Sequence, residues 1–193
     1  MALWGITDAD EAKPKWLTTA QKKEVFANNS GWVVEAGSTQ TGNDNTDAQP
    51  EVLCCVGDLA TGIGAADITE IEFITTAFDK SDGGNIDVRV RFNEQVTVDT
   101  SGGTPTLTIT NDTPSRNLTA TYLSGSTTNE LIFRKTIAAA NAATNAGDVL
   151  SIAANAMALA SGTIKDTADG STNATITNSG AIGTAAGTIT VAA

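Results

Sequence analysis

From Ile86 onward the chain alternates. Ile86, Val88, Val90 and Phe92 fall on one side of an extended segment, and Asp87, Arg89 and Arg91 fall on the other. This two-residue period marks a strand with one face on a core. It recurs in Leu107 with Ile109, in Leu118, Ala120 and Tyr122 set against Thr119 and Thr121, in Leu131 to Ile137, and in Val149 to Ile152. Turn formers separate the runs, as in Asp82-Gly83-Gly84-Asn85, Ser101-Gly102-Gly103-Thr104 and Ser124-Gly125-Ser126. Short alternating strands with turns every 8–12 residues or so are the pattern of an all-β sandwich. The expected β domain is 67–193, with its longest strand from Ile86 to Val98, broken near Asn93-Glu94. The Gly/Ala-rich end, 178–193, fits either a terminal edge strand or an arm lying on a neighbouring subunit.

Residues 1–66 read differently, as a mostly irregular anchoring region with one short helix. Thr18 and Gln21 have the spacing of a capping box, which predicts a helix over Ala20 to Ala27 with Val25 and Phe26 as its apolar contacts, ended by Asn28-Asn29-Ser30-Gly31. Trp32-Val33-Val34 and Glu51 to Val56 are short strand candidates, and Ser38 to Gln49 is a polar loop. Thr61 to Ala66 is a small-residue connector. All three tryptophans, Trp4, Trp16 and Trp32, lie in this region. A segment so small buries too little surface to stand alone. Trp4, Trp16, Leu17, Phe26 and Trp32 are therefore the expected partner-binding anchor.

The residue inventory narrows the chemistry. The chain has 193 residues, no histidine and a formal charge of −11. An acidic surface repels nucleic acid and anionic membranes, so neither is an expected partner. No apolar run reaches the ~20 residues of a membrane span, and no signal-peptide pattern opens the sequence. Without histidine, a Ser-His or Cys-His nucleophile is excluded. Glu70 and Glu72 read as a solvated strand face. Cys54 and Cys55 are adjacent, which strains any bond between them, and they read as small apolar residues. Asp79, Asp82 and Asp87 flank one turn, and Asp166 and Asp169 another. Oxygen ligands on loops suit Ca²⁺, but neither cluster has the EF-hand layout with its closing Glu, and turns favour Asp and Gly on their own account. No enzyme activity, cofactor or metal is expected.

Several segments between 86 and 176 resemble the bacterial Ig-like repeats of large surface adhesins: 90–96 (VRFNEQV), 103–109 (GTPTLTI), 119–122 (TATY), 131–133 (LIF) and 162–170 (GTIKDTADG). The N-terminus, MALWG at 1–5 followed by Thr7-Asp8 and Lys13-Pro14-Lys15, is similar to the start of small virion structural proteins of marine tailed phages that infect cyanobacteria and related bacteria. The stretch 64–73 (GAADITEIEF) looks like a phage-type linker into an Ig-like module. Together these resemblances imply a virion component, assembled in the host cytoplasm, with an anchor on the particle and an outward Ig-like domain. The expected partners are the major capsid protein or other virion proteins and further copies of the chain, as a trimer or another homo-oligomer. The implied role is a capsid decoration or cement protein. The alternative is a tail- or fibre-associated adhesin that binds the host surface.

Overall fold

The computed structural model describes residues 13–193. The capping box forms as expected. The Gln21 N–H donates to Thr18 Oγ1 at 3.2 Å, and the Thr18 N–H donates to Gln21 Oε1 at 2.9 Å. Helix α1 (Thr19–Lys23) then stops short of the predicted end. Val25, Phe26 and Ala27 belong instead to strand β1 (Val25–Asn28), which turns through Asn29-Ser30 into β2 (Gly31–Val34). The β-branched and aromatic residues here fit a pleated surface better than a helix. Pairing of Val25 with Val34 and Phe26 with Val33 outweighs the helical start signal.

Strand β3 (Glu51–Cys55) adds to the outer side of β2. Gly31 makes this approach possible: its φ is +132°, and a Cβ built there would stand 2.0 Å from the Cys54 carbonyl oxygen. Helix α2 (Leu59–Gly62) covers the sheet. Val25, Ala27, Trp32, Val34, Leu59 and Ala60 form a small core of their own. The described part of the anchoring region is mostly irregular chain, as expected, but it also holds a three-stranded module and a second short helix.

The remainder is all-β and sandwich-like. Its elements are β4 (Ile68–Phe73), β5 (Phe78–Asp79), β6 (Gly84–Asp99), β7 (Thr106–Asn111), β8 (Leu118–Ser124), β9 (Thr128–Ile137), β10 (Val149–Ser151), β11 (Met157–Ala158), β12 (Thr163–Asp166), α3 (Gly180–Ala185) and β13 (Ile189–Ala192). Hydrogen bonding links them in the order β3-β2-β1-β6-β9-β8-β7-β10-β13-β5, with β4 and β12 also on β6 and β11 on β7. The larger core draws Ile71, Ile86, Val88, Val90, Phe92, Leu107, Ile109, Leu131, Phe133, Leu150 and Ile164 from most of these strands. Tyr122 meets Phe133 edge-on, with ring centroids 6.1 Å apart.

Strand β6 organises the molecule. It runs 16 residues without the expected break at Asn93-Glu94. It changes partners instead: residues 84–91 pair with β9, residues 88–92 with β4, and residues 96–99 with β12. The register with β9 shifts between Arg91 and Val96. The C-terminal segment is a strand in the chain's own sheet, since β13 runs antiparallel to β10 and parallel to β5. The helix just before it, α3, was not expected. Ser179 caps it by accepting the Ile182 N–H.

Candidate functional site: the N-terminal face and the junction behind it

The five expected anchor residues do not share one fate. Trp4 lies outside the described residues. Trp16 is 63% exposed, in the turn before α1. Leu17 is half-buried against the small core. Phe26 and Trp32 are only 2% and 1% exposed. Neither is the exposed contact expected of an anchor: Trp32 packs in the small core, and Phe26 is buried on the other face of the hairpin, toward Arg91. Their hydrophobicity pointed to burial, and the β1–β2 hairpin supplies that burial internally.

The same region carries a charge feature that the sequence reading passed over. Lys13, Lys15, Lys22 and Lys23 are four of the chain's eleven Lys and Arg residues, and no acid lies between 13 and 23. In a chain of net charge −11 this is a local inversion of sign. A count of charge in short windows would have found it. Lys13, Lys22 and Lys23 line a concavity of about 430 Å³ whose floor includes Ala181, Ile182 and Ala185 of α3. Lys13 donates to the Lys22 carbonyl at 2.7 Å. Burial, then the Arg91 charge, lowers its pKa to about 8. Lys23 is paired with Glu70.

Behind this face, the module is joined to the sandwich through Arg91. The alternation places Arg91 on the outward side of β6, as expected, but the module covers it and leaves it 5% exposed. Its Nε donates to Glu130 at 2.6 Å, Nη1 to Glu70 at 2.9 Å and Nη2 to Glu35 at 2.9 Å. These carboxylates come from β9, β4 and the end of the β1–β2 hairpin. Arg89 pairs alongside with Glu72 and Glu130. Burial opposes the Arg91 charge, but Glu130, Glu35 and Glu70 outweigh it and hold its pKa above the ordinary value. Burial, then Glu130, raises the Glu35 carboxyl. Glu70 is therefore not part of a solvated face: it is buried between Lys23 and Arg91. A cleft of about 600 Å³ opens beside the network, lined by Phe26, Glu35, Ser38, Arg89, Arg91 and Asn129 among others.

The Asp-rich turns resolve differently from one another. Asp79 accepts from the Ser81 N–H and hydroxyl, and Asp87 forms a two-point pair with Arg134 at 2.7 and 2.6 Å, so both are committed to protein partners. Asp169 accepts the Ser171 and Thr172 N–H groups, which with the Thr172 hydroxyl lower its pKa to about 2. Asp166 accepts the Ala168 N–H through one oxygen and lies 1% exposed beside Glu94. Among the described residues, no group of three or more Asp, Glu, Cys or His is arranged to hold a metal. Cys54 and Cys55 are both free thiols, the first half-buried and the second exposed. No described helix is long and apolar enough to cross a membrane.

Comparison of the chain with protein-family models, with curated proteins and with solved structures finds no match. The fold itself is all-β and sandwich-like, with a smaller β module joined to it at β6.

Proposed function

We propose that this chain is a non-enzymatic structural protein of a phage virion, a capsid decoration or cement protein that docks through its N-terminal module. The observation that carries the reading is the inverted charge of residues 13–23 around a 63% exposed Trp16. An indole among lysines, on an otherwise acidic molecule, fits an acidic protein surface with an apolar pocket. Aromatic anchors often dominate interface energies, and modest contacts repeated on a lattice accumulate by multivalency. The Arg91 network supports the same reading, because it fixes the docking face to the sandwich that would project or bridge to further copies. Val52, 50% exposed on the outermost strand β3, offers a second contact on that module.

The test is mass spectrometry of purified particles with cryo-electron microscopy of the same preparation. The expected result is this chain in hundreds of copies on the capsid, with residues 13–23 toward the shell. Absence from particles overturns the reading. A few copies at the tail would favour the alternative drawn from the adhesin resemblance, in which the sandwich touches the host surface.

A further inference from the structure

The junction contains a second buried ionisable group, an acid where Arg91 is a base, on the opposite face of β6. Glu94 continues the inward series Ile86, Val88, Val90 and Phe92, so the pleat aims a carboxylate where a core residue is expected. It is 0% exposed, and when ionised neither of its oxygens receives a hydrogen bond from the protein. It lines a cavity of about 170 Å³ together with Asp166. Ala27, Asn28, Asn29 and Ala60 of the N-terminal module form another wall of that cavity. Asp166 accepts the Ala168 N–H through Oδ1 at 2.6 Å.

The electrostatics are one-sided. Burial pushes the Glu94 carboxyl up to about 9; the Asp166 charge, a carboxyl-to-carboxyl hydrogen bond with Asp166, and the Asp67 and Asp169 charges add to this. An unpaired buried carboxylate is strongly disfavoured. Two adjacent carboxyls are relieved either by a proton between them or by a cation. Carboxylate and carbonyl oxygens are hard donors that suit Ca²⁺, which accepts six to eight oxygens or so in loose geometry. The cavity has room for one such ion with several waters, each about 30 Å³. With two carboxylates rather than three or more, the charge count places the site in the weak class, with Kd on the order of 0.1–1 mM.

We propose that Glu94 and Asp166 hold a calcium-type divalent cation in the cavity between the two parts of the chain, where it ties the N-terminal module to the sandwich. The ligands come from β6 and the end of β12, while the module supplies the opposite wall, so the ion sits across the junction.

The experiment uses the full chain at pH 7.5, after removal of metals by chelation. Isothermal titration with CaCl₂ is expected to give one site per chain. Thermal unfolding at calcium about tenfold above Kd is expected to raise Tm by about 3 °C or more over EDTA, from the linkage of binding to folding. Glu94→Gln should abolish both the site and the increment, and should unfold in EDTA no earlier than the parent, because its amide is neutral without taking up a proton on folding. Asp79→Asn, in a different Asp-rich turn, should keep both. A parent that binds no calcium overturns the proposal and leaves a proton-sharing pair in its place. So does an equal Tm increment from sodium at matched ionic strength, or an undiminished increment in Glu94→Gln. If that variant does not fold, Asp166→Asn and the stoichiometry of the parent decide the matter in the same way.

Discussion

Ala27 and Glu94 are directly paired, across a parallel bridge that joins β1 to the middle of β6. On one side of this point Arg91 gathers the carboxylates of Glu35, Glu70 and Glu130. On the other, Glu94 faces Asp166. The two parts of the molecule are therefore joined by backbone pairing, with a buried ion-pair network on one side and a buried acidic pair on the other.

Replacing Arg91 tests the first of these. Arg91→Met should destabilise the protein by about 3–5 kcal/mol, since it leaves the Glu35 carboxylate without a cation and removes one of two from Glu70 and Glu130. Chemical denaturation of the full chain measures this. A change below about 1 kcal/mol, the size expected of an exposed pair, would show that the network is solvated in solution.

Glu94 predicts a pH dependence in metal-free protein. Its folded pKa of about 9 lies above its ordinary value of 4.5, so the folded state holds a proton that the unfolded state releases. The contribution is fully present below the unfolded pKa and is lost as pH rises toward 9. Between about pH 6 and 9 in EDTA, the Tm of the parent should fall relative to Glu94→Gln. Lys13, lowered to about 8, acts in the opposite sense, with stability gained as pH rises. The comparison with the variant removes that contribution. A Tm difference that is flat across the window contradicts the assignment.

Trp16→Ala tests the proposed docking face apart from folding. The side chain is largely exposed, so Tm should move little. Occupancy on particles should fall at least tenfold, as expected for loss of an interface anchor worth about 2 kcal/mol. Lys15→Glu should weaken attachment further as salt is lowered, because its repulsion is then less screened. Unchanged occupancy in both variants would remove residues 13–23 from the interface.

Gly31→Ala should be severely destabilising. The added Cβ has no room beside the Cys54 carbonyl, and the left-handed φ is unfavourable to any L side chain. Because the damage falls on the small core, proteolysis should reach residues 13–66 before the sandwich. Simultaneous cleavage throughout would show that the two cores unfold as one.

Much of the sandwich was legible because its strands have one core face, and a two-residue period reveals such a face directly. Thr18 and Gln21 were legible for a similar reason, since a capping box is local. The helix beyond Lys23 was misjudged because Val25, Phe26 and Ala27 take their conformation from Val34, Val33 and Trp32 across the hairpin, which no short window contains. Arg91 was placed correctly on the outward face, but periodicity says nothing about what covers that face. Glu94 hid behind its own polarity: a carboxylate in an inward position looked like a strand break. Phe26 and Trp32 show the limit most plainly, because hydrophobic residues announce that they will be covered and not by which chain.

The 16-residue strand β6 bears on how the molecule would carry mechanical load. Tension applied to the N-terminal module arrives at the strand's middle, where β1 meets it, rather than at a free end that could be unzipped one pair at a time. Pulling there has to shear pairs with β4, β9 and β12 together. Under such tension the weaker element is then the little three-stranded module, and the sandwich behind it should outlast it.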